Sequence, residues 1–128
     1  MSLASRDSID PALNLILETG ESQLRAKQYP LAEVSFRILI ERCGDIPGLH
    51  AGLAEALAGQ GKFDAAESSY RRATTAIPDV AELWYDYAFV LARQQKYIDA
   101  RRACSKALEL KPDSQTVQSV QRLMKQLG

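Results

Sequence analysis

The stretch that decides the fold is residues 81–114, AELWYDYAFVLARQQKYIDARRACSKALELKPDS. Its first half carries apolar residues at helical spacing, as at Leu83, Tyr87 and Leu91. Residues 94–96 are polar and separate this segment from a second one with the same kind of periodicity. We therefore predict two helices joined by a tight turn, and no strand pattern competes with this interpretation.

The same pattern recurs along the chain at a fixed spacing of 34 residues, and no gaps are needed to align the copies. Ala32, Ala66 and Ala100 form one column of small residues. Other columns with this spacing are Tyr29/Phe63/Tyr97, Phe36/Tyr70/Cys104, Gly20/Ala54/Ala88 and Asp45/Asp79/Asp113. A helix-turn-helix unit that recurs with this period predicts a repeat protein, in which neighbouring units bury one continuous core.

In these columns the chain resembles the tetratricopeptide repeat family. The best copy, residues 81–114, carries the residues that the family prefers at Trp84, Tyr87, Ala88, Leu91, Ala100, Ala107 and Pro112. Ile16 and His50 stand where the family prefers Trp, and Gly44 stands where it prefers Pro. The resemblance implies an all-α fold, a right-handed α-solenoid of antiparallel helix pairs with seven helices.

The domain organisation follows from the columns. We expect a leader over residues 1–10, with Met1-Ser2-Leu3 as a candidate vector remnant. Three repeats are expected over residues 11–46, 47–80 and 81–114, and a capping helix over residues 115–128. The Asp column precedes the first helix of each following unit, where a carboxylate can cap free N–H groups. Asp10 stands in a similar role before the first repeat, one residue out of register with the column.

Composition narrows the classes of function. Sixteen basic and sixteen acidic residues leave no net charge, so we expect no nucleic-acid partner. No apolar run approaches the roughly 20 residues that span a bilayer, so we expect no membrane insertion. Cys43, Cys104 and the single His50 do not make a zinc motif, and we expect free thiols in a cytoplasmic protein without a metal or cofactor.

Nothing in the sequence points to an enzyme. Gly59-Gln60-Gly61-Lys62 superficially resembles a phosphate-binding loop, but it lacks the preceding strand and the required spacing. A catalytic histidine needs an orienting acid and a nucleophile, and Glu55 is poorly placed to serve His50 on a helix. We interpret Cys104 as a buried small residue and Cys43 as an inert thiol near a helix end.

The resemblance implies that the first helix of each pair lines a concave groove that binds a partner protein. The candidate groove residues are Leu17, Glu18, Glu21, Gly52, Glu55, Glu82, Tyr85, Asp86, Phe89 and Arg93. Acids outnumber bases at the groove positions, which favours an apolar or basic partner segment. Some relatives clamp an acidic C-terminal tail with basic and Asn residues, but Glu18, Gly52 and Asp86 occupy the matching position here.

Within this groove we predict a shallow hollow at Gly52 with Tyr85 and Phe89 as its aromatic wall. The alternative is that Gly52 only permits close helix packing and that the capping helix covers Phe89. The leading hypothesis for function is an adaptor or scaffold module. A structural or oligomerisation unit, with self-association, and a regulatory part of a larger protein remain the alternatives.

Overall fold

The structure, a computed structural model, describes residues 10–128, so the predicted leader lies almost entirely outside the described residues. The described part of the chain contains seven helices and no strand. The helices are α1 (Pro11–Arg25), α2 (Tyr29–Cys43), α3 (Pro47–Gly59), α4 (Phe63–Ala76), α5 (Ala81–Arg93), α6 (Tyr97–Glu109) and α7 (Ser114–Leu127). The prediction of an all-α chain of seven helices is confirmed.

The turns between paired helices repeat with the same period as the helices. Lys27, Gly61 and Gln95 are spaced by 34 residues, and their φ angles are 58°, 77° and 64°. This left-handed conformation ends a helix and turns the chain back at little cost for glycine. Only the second copy uses glycine there, so the turn geometry is a property of the repeat and not of one residue type.

The Asp column caps fewer helices than the sequence suggests. Asp10 and Asp113 directly precede α1 and α7, and each accepts a backbone N–H of the first turn at 2.8 Å. Asp45 and Asp79 stand two residues before α3 and α5, and neither helix has a side-chain cap. The capping prediction is therefore wrong for these two, because the column lies one residue too far from the helix start.

Successive helices pack against each other along the whole described chain, and the alanine column is completely buried between them. Among the first helices of the pairs, α1 also packs against α3 and α5 packs against α7. In contrast to these two pairs, α3 and α5 make hardly any direct contact with each other. The core forms two clusters that meet at α5, one within α1–α5 and one within α5–α7.

A polar tie between helix pairs recurs with the repeat. The Glu33 carboxylate accepts hydrogen bonds from the Gln60 side-chain amide at 2.8 Å and from the Lys62 ammonium at 3.1 Å. These bonds, together with one from Arg37, lower the pKa of Glu33 to about 2. The tie one repeat further on is made by Glu67, Gln94 and Lys96.

None of the helices in residues 10–128 has both the length and the apolar character needed to cross a bilayer.

Candidate functional site

The gap between α3 and α5 forms a hollow of about 270 Å³. Residues of α3 and α5 line its two sides, and α2 and α4, the second helices of the first two pairs, each contribute one side chain. The lining residues are Leu24, Phe36, Gly48, Ala51, Gly52, Glu55, Tyr70, Val80, Glu82, Leu83 and Asp86. The hollow predicted at Gly52 is therefore present, and four of the ten candidate residues line it: Gly52, Glu55, Glu82 and Asp86.

The aromatic wall of the hollow differs from the prediction. Phe36 of α2 and Tyr70 of α4 line it, whereas Tyr85 and Phe89 do not. Phe36 and Tyr70 occupy the same position of successive repeats, and both rings are almost completely buried. The wall therefore comes from the second helix of each pair, which reaches between the first helices from behind.

Gly52 lies directly under the Phe36 ring. A Cβ atom built on Gly52 would stand 2.4 Å from Cε1 of Phe36, far inside van der Waals contact. At the end of α3 a Cβ on Gly59 would stand 2.3 Å from Cγ of Tyr29. The alternative interpretation of Gly52, that it permits close packing, is thus the one that the geometry explains.

Three carboxylates face the hollow, and no basic residue lines it. Burial, followed by the nearby charges of Glu55 and Glu82, raises the pKa of Asp86 to about 7. Burial also raises the pKa of Glu55. Within residues 10–128, neither Asp86 nor Glu55 forms an ion pair with a lysine, arginine or histidine. The hollow therefore groups three carboxyl groups in partly desolvated surroundings that lack a counter-charge, and this disfavours the ionised form of Asp86.

The candidate residues of α1 lie elsewhere. Leu17 is buried in the core, so it presents almost no surface to a partner, and its place in the candidate set is corrected. The reason is that α1 turns this side chain inward, where it joins the cluster within α1–α5. Glu18 and Glu21 lie on the same helix but do not line the hollow.

Tyr85 lies next to the hollow. It lines a second cavity of about 270 Å³ between α5 and α7, together with Glu82, Asp86 and Thr116. Burial and the neighbouring Asp86 charge raise the pKa of the Tyr85 hydroxyl. Since Glu82 and Asp86 line both cavities, the two form neighbouring parts of one acidic surface.

Phe89 and Arg93 lie near the C-terminal end of α5. The ring of Phe89 remains 38% exposed, so α7 does not cover it as the alternative interpretation supposed. The Arg93 guanidinium lies 5.1 Å from the centre of the Phe63 ring and 6.0 Å from that of Phe89. Arg93 is thus held by aromatic rings, away from the three carboxylates of the hollow.

His50 lies in another cavity of about 360 Å³, lined also by Asp45, Arg71, Arg72 and Thr75. Its Nε2 atom is 2.9 Å from Oδ1 of Asp45, an orienting acid that the sequence argument missed because it considered only Glu55. Apart from Thr75, no nucleophilic side chain lines this cavity. In the described part of the chain, no cluster of three His, Cys, Asp or Glu residues has a metal-binding arrangement.

Comparisons with known proteins agree with the helical repeat. The family described as "Tetratricopeptide repeat" matches residues 51–115. Curated protein sequences gave no match. The Sgt2 TPR domain from Aspergillus fumigatus superposes with a TM-score of 0.78 at 17% identity, covering 98% of this chain and 80% of that one.

Two further solved structures share the fold. The first TPR of Spaghetti (RPAP3), bound to the HSP90 peptide SRMEEVD, has a TM-score of 0.79 at 19% identity over 94% of this chain and 97% of that one. A TPR-like protein from Chlorobium tepidum has a TM-score of 0.71 at 24% identity, over 90% of this chain and 88% of that one. With a family match over half of its length and the repeating helix pairs described above, the chain belongs to the tetratricopeptide repeat family.

Proposed function

We propose that this protein is an interaction module that holds a partner segment in the hollow between α3 and α5, with a lysine or arginine side chain of that segment placed on Asp86. The observation that carries this proposal is the set of three carboxylates, Glu55, Glu82 and Asp86, around an apolar floor without a cation of its own.

Desolvation of Asp86 favours the binding of a cation in the hollow. Holding Asp86 ionised in this hollow is unfavourable, as its raised pKa of about 7 records. A bound cation stabilises that carboxylate and gains from the low dielectric of the site. The methylene stem of a lysine or arginine packs on apolar walls such as Leu83, Val80 and Tyr70. The hollow thus suits an amphipathic, positively charged side chain better than a purely apolar one.

The same charges argue against an acidic ligand. The peptide on the Spaghetti domain, SRMEEVD, contains three acidic residues. Some relatives carry the basic and Asn residues of their clamp at one repeat position. The three repeats of this chain have Glu18, Gly52 and Asp86 at that position instead. Binding an acidic tail would bring like charges together in the hollow, which costs affinity. We therefore propose a basic partner segment with flanking apolar residues.

A selection from a display library tests this proposal. A random peptide library is selected on the wild-type protein and, in parallel, on Asp86→Asn. We expect wild-type selections to be enriched in Lys or Arg beside apolar residues, and we expect that enrichment to be lost with Asp86→Asn. The matched control is Glu109→Gln, an exposed acid on α6 outside the hollow, which should select the same peptides as the wild type.

Two results of that selection count against the proposal. One is enrichment of acidic peptides such as SRMEEVD. The other is basic enrichment that Asp86→Asn and Glu109→Gln leave equally intact, because a general attraction to acidic protein would explain it. A selected peptide should then bind the wild type at least about tenfold more tightly than Asp86→Asn in fluorescence anisotropy.

Two coarser expectations accompany this function. We propose the division into repeats at 11–46, 47–80 and 81–114 with a cap at 115–128, which the starts of α3, α5 and α7 support to within a residue. We also infer a reducing, cytoplasmic setting, since Cys43 and Cys104 are both free and Cys104 is buried. Alkylation of the partly exposed Cys43 in intact cells tests the second point, and a Cys43 that is blocked by a disulfide to another molecule would contradict it.

A further inference from the structure

An aliphatic stripe runs along α2 on the side opposite its buried residues. Leu31, Val34 and Ile38 are 54%, 56% and 37% exposed, and their spacing of three and four residues places them on one face. The buried residues Ala32, Phe36 and Leu39 define the opposite face of the same helix. The stripe is therefore a continuous apolar surface that no described element covers.

The other repeats show that this surface is not a by-product of the fold. The equivalent positions of α4 and α6 are also exposed, but they carry small or charged residues: Ala65, Ser68 and Arg72, then Asp99, Arg102 and Lys106. Solvent reaches this face in every repeat, and only α2 presents large aliphatic side chains to it. The contrast with α4 and α6 at these positions therefore favours an interaction surface on α2.

We propose that the α2 stripe binds the α2 stripe of a second copy of this chain, with the two helices antiparallel. Lys27 lies in the turn before α2, and Glu41 lies in its last turn. Both are exposed, and they are equally distant in sequence from Val34. An antiparallel pair with its two-fold axis at Val34 brings Lys27 of each copy towards Glu41 of the other. A parallel pair would bring like charges and like helix dipoles together.

The size of the stripe sets the strength of the dimer. Its three side chains offer on the order of 200–300 Å² of apolar surface, slightly less than the largest apolar patch on a typical monomer. A stable dimer buries about 800 Å² on each partner. The stripe with its charged ends therefore supports a dimer that dissociates on dilution. This surface is on the opposite side of α2 from Phe36, so the dimer leaves the hollow open.

Sedimentation equilibrium on the chain as it stands, over a range of roughly 5 µM to 1 mM, measures this association. We expect a monomer–dimer equilibrium for the wild type and at least a tenfold weaker one for Val34→Glu. The matched control is Ser68→Glu, the same change at the equivalent exposed position of α4, which should associate like the wild type. Lys27→Glu and Glu41→Lys should each weaken the dimer, and the two together should restore it.

Three outcomes would overturn the proposal. The first is a wild type that stays monomeric over the whole range. The second is a dimer that Val34→Glu weakens no more than Ser68→Glu does. The third is a full chain that stays monomeric together with a shortened chain, lacking residues 1–9, that dimerises. That result would mean that residues 1–9, and not a second copy, occupy the stripe. Far-ultraviolet circular dichroism of each variant confirms that the helices are retained, as expected for substitutions at exposed positions.

Discussion

The α1–α3 and α3–α5 interfaces are built from equivalent positions, but only the first is closed. At the first, the Phe36 ring lies on Gly52, and α1 packs against α3. At the second, 34 residues on, Tyr70 faces Asp86, and α3 hardly touches α5. We attribute the difference to the residue under the ring. A glycine lets the ring and the next helix approach closely, whereas an aspartate needs room for its own side chain.

This difference teaches how a repeat array acquires a site. The backbone plan of both interfaces is the same, and the polar ties of Glu33 and Glu67 are retained at both. We infer that Asp86, which stands where the first interface has Gly52, opens the hollow and places a partly buried carboxylate in it. The cost to folding is visible in the raised pKa of Asp86, and such costs are typical of functional positions.

The largest effect should come from giving the closed interface the residue of the open one. Gly52→Asp forces a side chain into the space of the Phe36 ring, which is almost completely buried and can yield only by moving into the hollow that it lines. We expect the free energy of unfolding to fall by about 3 kcal/mol or more, because overpacking and a buried carboxylate act together. Urea denaturation followed by circular dichroism measures the change.

Gly59→Ala is the control for that experiment. The added Cβ would stand equally close to a ring, that of Tyr29, but this ring is only half-buried and has room to shift. We expect a loss of about 1 kcal/mol or less, since alanine also favours the helix by up to about 1 kcal/mol. Equal losses for Gly52→Asp and Gly59→Ala would show that the Phe36 contact does not hold the α1–α3 interface closed.

Removing the charge from the open interface should stabilise the fold in a pH-dependent way. The pKa of Asp86 is about 7 in the folded protein, above its value in the unfolded chain of about 4. A raised carboxyl pKa means that stability falls as the pH rises between these two values. Asp86→Asn should therefore raise the free energy of unfolding by about 2 kcal/mol at about pH 8, and by much less at about pH 4.

Urea titrations of Asp86→Asn and wild type at the two pH values make that comparison. The same gain in the free energy of unfolding at both pH values would mean that the gain does not come from removing the charge of Asp86. A loss of stability at about pH 8 would mean that the carboxylate has a favourable partner that the hollow does not show.

The smallest effect concerns the polar tie that both interfaces share. Hydrogen bonds lower the pKa of Glu33 to about 2, so its contribution is present above about pH 4 and is lost as the pH falls through the folded pKa. Glu33→Gln should cost about 1 kcal/mol at neutral pH and converge with the wild type near about pH 2. A cost that does not change with pH would assign the effect to packing.

The sequence predicted the elements well because the 34-residue columns of apolar and small residues repeat without gaps. The tie of Glu33 with Gln60 also repeats as a column, but the spacing of polar residues along the chain does not show which side chains meet between repeats, so this tie was not predicted. The contents of the hollow were harder to predict. Tyr85 and Phe89 were chosen because they share a face of α5, but which rings fill a hollow depends on how α2 and α4 pack behind it, and one-dimensional spacing does not carry that information.

The pKa of Asp86 in the presence and absence of ligand tests the central claim most directly. Carbon-13 NMR of the side-chain carboxyl follows its titration in the free protein and with a selected basic peptide bound. We predict a pKa of about 7 in the free protein and a clear downward shift in the complex, because a bound cation favours the ionised carboxylate. A free pKa near 4, or one that a bound peptide leaves unchanged, would contradict the assignment of the hollow as a site for a basic side chain.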